Sequence, residues 1–154
     1  MIKGIKFASI PVTDQDRALD FYTRKLGFRV LTDAPFDGNQ RWIELSIPRA
    51  ETKVVLFTPD EHRKMIGSFM MFTFFTDDVE GTARELKDRG VEFVQEPTKA
   101  DWGTMAIFKD PDGNLLSLTE TGAPAKRSQP AKPRKPKARR RPTATKPSRA
   151  KRRR

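Results

Sequence analysis

The chain states one pattern twice. A strand-like stretch, IKFASIPV (residues 5–12), runs into Thr13 and Asp14; apolar residues then recur at helical spacing (Ala18, Phe21, Tyr22, Leu26) before Gly27 and a new strand, FRVL. A second strand-like stretch, FMMFTFFT (69–76), runs into Asp77 and Asp78, then Val79, Ala83 and Leu86, then Gly90 and VEFV. Asp14 and Asp77 each stand 13 residues before their glycine. That spacing suits a three-turn helix whose first amides bond a side-chain oxygen and whose end closes through a left-handed glycine. Three strand candidates follow each helix: 28–33, 41–48 and 52–58, then 91–95, 104–109 and 114–120. The predicted architecture is therefore α+β, with two βαβββ modules. In each, a helix covers one face of a curved sheet, and the two remaining faces enclose a cleft.

Charge divides the chain at the end of the second module. Residues 122–154 hold 15 of the 31 Lys and Arg and none of the 20 Asp and Glu, so residues 1–121 carry 16 basic against 20 acidic groups, a net of −4. The same tail has six of the twelve prolines and no Val, Ile, Leu, Met or aromatic residue. Such a segment cannot bury enough apolar surface to offset its conformational entropy, and disorder is expected. Residues 1–121 have the usual length of one domain with its own core.

The absence of cysteine excludes disulfides, thiolate metal sites and a cysteine nucleophile, and agrees with a reducing compartment. No apolar run reaches the roughly 20 residues of a membrane span, and MIKGIKF lacks the apolar stretch of a signal peptide. A soluble cytoplasmic protein without a membrane partner is expected.

Two phrases, IPVTDQDRALDFYTRKLGF and, about 80 residues later, FKDPDGNLLSL, set within a doubled βαβββ chain, resemble the vicinal-oxygen-chelate fold of glyoxalase I, extradiol dioxygenases and bleomycin-resistance proteins. The resemblance covers residues 1 to about 121 and none of the tail. It implies two modules flanking a cleft in which four strand positions, typically His, Glu, His and Glu, hold a divalent metal. Here those positions fall on Phe7, Leu56, Met71 (or Met70, one residue earlier) and Ser117. None supplies the imidazole or carboxylate that such ions need, so neither metal nor cofactor is expected. The single histidine, His62 in PDEHRK, reads as a solvated linker residue. Thr13, Asp14, Gly27, Asp112 and Gly113 carry the fold signature and are assigned structural roles.

Strand alternation then predicts what lines the cleft. With Ile43, Leu45 and Ile47 facing the helix, Trp42, Glu44 and Ser46 face the other way. The predicted lining adds Phe7, Ser9, Val54, Leu56, Met71, Thr73, Phe75 and Ser117, with Trp102 at the rim. Either these residues line an apolar pocket for a small organic ligand, or the aromatic rings meet and close it as core. Glu44 is the candidate for proton chemistry, provided desolvation raises its pKa; pairing with Arg41 or Arg49 is the alternative.

Two function classes follow. One is a metal-free binding protein that sequesters or senses an organic molecule; the other is a lyase, isomerase or dioxygenase of the same superfamily using a non-standard site. The absent metal quartet favours the first. The tail is a second functional element, compositionally like linker-histone tails. Its Lys132, Arg134, Lys135, Lys137, Arg139, Arg140, Arg141, Lys151, Arg152, Arg153 and Arg154 form a flexible polycation able to condense on nucleic acid by counterion release. That would associate the protein with the nucleoid. The resemblance also implies a homodimer.

Overall fold

A computed structural model describes residues 4–38, 40–59, 61, 63–67 and 71–120. The basic tail and His62 lie outside the described residues. Two four-stranded sheets carry the doubled pattern. The first module comprises β1 (Phe7–Pro11), α1 (Gln15–Asp20, continued by a π-helical turn, Phe21–Lys25), β2 (Arg29–Asp37), β3 (Gln40–Ser46) and β4 (Lys53–Phe57); after a 3-10 turn (Arg63–Met65), the second comprises β5 (Met71–Thr76), α2 (Val79–Asp88), β6 (Glu92–Ala100), β7 (Gly103–Lys109) and β8 (Leu115–Glu120). Strand order is β1-β4-β3-β2 in one sheet and β5-β8-β7-β6 in the other. In both, the first strand pairs in parallel with the last and the remaining pairs are antiparallel.

Local chemistry sets the helix ends. The Asp14 carboxylate accepts from the Arg17 amide at 3.0 Å, and Asp78, rather than the predicted Asp77, accepts from the Gly81 amide at 2.8 Å. Each caps its helix start. Gly27 and Gly90 end the helices at φ 77°. After α2, Gly90 donates to the Lys87 carbonyl and Val91 to that of Leu86, the two bonds of a Schellman ending. Moving the second cap to Asp78 leaves the first helix one residue longer between cap and glycine. The π-helical turn takes up that residue: Leu26 donates to the carbonyl of Phe21, five positions back.

The outer strands run further than the sequence predicted, β2 to Asp37 instead of 33 and β6 to Ala100 instead of 95. Each extension runs through a proline, Pro35 and Pro97. Among the described residues each of the two strands has one sheet neighbour, and an edge tolerates a proline because no ladder bond is needed on its open side.

One apolar cluster unites the modules. Ile10, Ile43, Leu45, Val54 and Leu56 of the first sheet meet Ala18, Phe21 and Tyr22 of α1; Leu116, Leu118, Ala106 and Phe108 of the second sheet belong to the same buried cluster. The boundary is fastened by the turn KDPDGN. Buried Asp110 accepts from the Tyr22 hydroxyl at 2.9 Å, from the Asn114 side chain at 2.8 Å, and from the amides of Asp112 and Asn114, both at 2.9 Å. Asn114 also donates to the Pro11 carbonyl at 2.9 Å. Desolvation pushes the Asp110 carboxyl pKa up, opposed by these donors, and burial beside Asp110 pushes the Tyr22 phenol up. Thr13 and Arg17 both donate to Asp112, whose side chain is almost wholly buried. Gly67 packs so closely on this turn that a Cβ there would lie 2.6 Å from the Asp112 carbonyl oxygen.

Candidate functional site

Strand register places the four positions. Phe7 opposes Lys53 as Met71 opposes Leu115, and Ser9 opposes Val55 as Thr73 opposes Ser117. Superimposing the modules by this register makes Phe7 equivalent to Met71, and Val55 equivalent to Ser117. The fourth-strand position is therefore Val55. Leu56, which the sequence assigned to it, is fully buried in the core opposite Ile43, and Val54 lies in the same core opposite Leu45. Both were predicted on the cleft face and instead face the helices. Phe7, Val55 and Ser117 do not fit a metal: phenyl and isopropyl groups offer no lone pair, and a serine hydroxyl is a poor donor to these ions. Among the described residues no three His, Cys, Asp or Glu gather as a metal cage.

The open face of the first sheet is aromatic. Phe7 meets Trp42 edge-on, centroids 5.4 Å apart at 82°, and Phe36 meets Trp42 at 5.6 Å and 47°. These rings border a cavity of about 350 Å³, together with Ser9, Val55 and Phe57, with Gln40, Arg41 and Thr58 at its polar end. Every lining residue belongs to the first module. Arg41 is fixed there by Asp16 at 2.8 Å and Asp33 at 3.0 Å, while the Gln15 amide accepts from its backbone N–H at 2.9 Å and donates to its carbonyl at 2.7 Å.

Glu44 occupies the same face, with its carboxylate 3.0 Å from Lys53 Nζ. Lys53 opposes Ser46 on the neighbouring strand, which makes it the diagonal same-face neighbour of Glu44. The partner is thus neither Arg41 nor Arg49. The Lys53 bond holds the Glu44 carboxyl below its ordinary pKa, the opposite of what a general base at neutral pH requires.

On the second sheet, the Ser117 and Thr73 hydroxyls are 2.8 Å apart, Ser117 being buried. Phe75 and Trp102 are exposed, at 71% and 56%; Trp102 sits where β6 turns into β7. Ser46 is half-buried, with its hydroxyl 3.4 Å from the Arg29 carbonyl. Met71 begins β5; its side chain is outside the described residues. Sequence reading missed Phe36, Val55, Phe57 and Ile107. Ile107 opposes Ser117, and the alternation in GTMAIFK, with Thr104, Ala106 and Phe108 buried, was the signal that reveals it. Phe36 lay beyond the predicted end of β2.

Comparison with known proteins agrees with this geometry. Residues 4–118 match the model of the Glyoxalase/Bleomycin resistance protein/Dioxygenase superfamily. The uncharacterized protein YetH of Bacillus subtilis (strain 168) is 38% identical over 123 residues, which cover 78% of this chain and 100% of that protein. Among solved structures, UcmS2 is similar at 34% identity and a TM-score of 0.69, covering 77% of this chain and 98% of its own. TnmS3, an antibiotic binding protein from Streptomyces sp. CB03234, is similar at 34% identity and a TM-score of 0.66, covering 77% and 96%. By this match and this fold, the chain belongs to the glyoxalase/bleomycin resistance protein/dioxygenase superfamily.

Proposed function

We propose that this is a metal-free member of the superfamily that binds a small organic molecule through the aromatic face of its first sheet, in a sequestering or sensing role. The observation that carries this reading is the placement of Phe7, Trp42 and Phe36 around a cavity of about 350 Å³, on a face where catalytic relatives need metal donors. Aromatic walls supply the apolar contact area, and Ser9, Gln40 and Arg41 orient the ligand. The lowered pKa of Glu44 and its Lys53 partner weigh against proton transfer. The name of TnmS3 points the same way. In this reading a homodimer encloses the ligand, the second sheet of one copy, with Thr73, Phe75, Trp102 and Ser117, facing the aromatic cavity of the other.

The test is a fluorescence titration with bleomycin and a panel of polycyclic aromatic antibiotics. The chain has two tryptophans, so Trp102→Phe leaves Trp42 as the reporter. Saturable quenching is expected, together with at least tenfold weaker binding of Trp42→Ala measured by calorimetry, and ligand recovered unchanged by mass spectrometry. Conversion of a bound ligand would displace the reading in favour of an enzyme.

The tail forms the second half of the proposal: residues 122–154 bind nucleic acid without base readout and bring the protein to the nucleoid. The excess negative charge of residues 1–121 leaves the tail as the part able to do so. On duplex DNA, log affinity against log salt is expected to fall with a slope near −0.9 per phosphate contacted. Equal binding after truncation at residue 121 would refute it.

A further inference from the structure

The aromatic cavity shares its polar end with a second one. Gln40, Arg41 and Thr58 border both, and the second, of about 400 Å³, is lined by side chains that carry charge: Asp14, Asp16, Asp37, Arg41 and Arg63. Gln40 begins β3 and Thr58 follows the last residue of β4, so the shared wall is the end of the first sheet. One molecule can lie on the rings and reach the charges around that end.

A bulge in β2 divides two consecutive residues between these cavities. Pro35 opposes Arg41 and Asp37 opposes Gln40, so Phe36 is the extra residue, without a register partner on β3. Such an insertion bends an edge strand and re-aims its side chains. Phe36 lies against Trp42 in the aromatic cavity, whereas Asp37 lines the charged one. Consecutive Cα atoms are about 3.8 Å apart, so a ring seated on Phe36 needs an arm of only a few atoms to reach Asp37.

The charges of the second cavity are unevenly committed. Arg41 is held by Asp16 at 2.8 Å and Asp33 at 3.0 Å, so its charge is matched twice. Asp14 is engaged as the helix cap. Asp37 and Arg63 have no ion pair among the described residues. With Asp33 included, four carboxylates stand against two guanidiniums, and the excess is negative.

We propose that the ligand carries a cationic arm, an amine or amidinium group, beside its aromatic part. The ring packs on Phe36 and Trp42, and the arm turns around the end of the first sheet to pair with the Asp37 carboxylate. This rests on the aromatic-cavity reading above and adds its specificity: Phe36 receives the ring, and Asp37 selects the charge.

The test titrates the full-length protein, by calorimetry at neutral pH, with three probes that share one ring system and one arm length: anthracene bearing a propylamine, a propanol or a propanoic acid. The amine is expected to bind about fivefold more tightly than the alcohol, the scale of one solvent-accessible ion pair. Asp37→Asn should abolish that advantage and leave the alcohol's affinity within about twofold. Asp88→Asn, which removes an exposed carboxylate from α2, should change none of the three. Equal binding of amine and alcohol, an amine advantage that survives Asp37→Asn, or equal losses for both probes would overturn the inference while the aromatic cavity stands. Tighter binding of the acid would also overturn it and assign the arm to Arg63. Failure of all three probes to bind would instead overturn the aromatic-cavity reading, and this inference with it.

Discussion

The two modules share a fold and differ in what they do with it. In the second, the turn after β7 concentrates its polar side chains inward: Asp110, Asp112 and Asn114 bind the first helix and first strand, and the open sheet face carries a hydroxyl pair. In the first, the corresponding turn, residues 47–52 (IPRAET), has no carboxylate in the place of Asp110, and the open face carries four aromatic rings, Phe7, Phe36, Trp42 and Phe57. What both retain are the residues backbone geometry demands, an Asp cap and a left-handed glycine. What diverged is what a ligand or a neighbouring module touches. Duplication here kept the scaffold and divided the labour, with cohesion in one half and the aromatic cavity in the other.

Breaking the lock should have the largest effect. Asp110→Ala leaves the Tyr22 hydroxyl, the Asn114 side chain and two amides without their acceptor, in buried surroundings. A loss of about 3 kcal/mol is expected, read from chemical denaturation at constant m-value. In the opposite turn, Glu51→Ala should cost less than about 0.5 kcal/mol, as for most exposed substitutions. Comparable losses would mean that the turns are not functionally distinct. Tyr22→Phe sharpens the point by removing one donor and keeping the ring: about 1–2 kcal/mol is expected by the same measurement.

The smallest effect concerns pH. The folded-state pKa of Glu44 lies below its ordinary value of 4.5, so its pairing with Lys53 stabilises the fold fully above that value and is lost as pH falls through the folded one. Asp110 has the reverse sign. Its raised pKa means that its ionised form is disfavoured on folding, and this contribution to stability weakens as pH rises through the folded value. Glu44→Gln should therefore shrink the stability lost between about pH 5 and pH 3, by less than about 1 kcal/mol, in denaturation curves collected across that range. An unchanged acid limb would show that the ion pair contributes nothing.

Much of the fold was legible because its signals are local. Asp14, Gly27 and Gly90 act within a few residues of themselves, and the repeat of that grammar predicted two modules in the right order. The site was legible only where strands alternate. In β3, Ile43 and Leu45 alternate with Trp42 and Glu44, and the faces were assigned as observed. In β4 the run KVVLF buries Val54, Val55 and Leu56 alike; a stretch buried on both faces has no period of two to read, and the register slipped by one residue. The partner of Glu44 was misread for a different reason, since Lys53 arrives from a neighbouring strand. Nothing within two residues of Glu44 could announce it.

The π-helical turn at the end of α1 carries a consequence for how such repeats change length. An insertion inside a helix ordinarily rotates everything downstream by about 100°, moving buried side chains into solvent. A single widened turn confines the disturbance instead: Ala18 stays buried before it, and Phe28 after it. A gene copy can then gain one codon in the middle of a helix and keep both flanking surfaces in place, so a change of length in this fold need not fall in a loop.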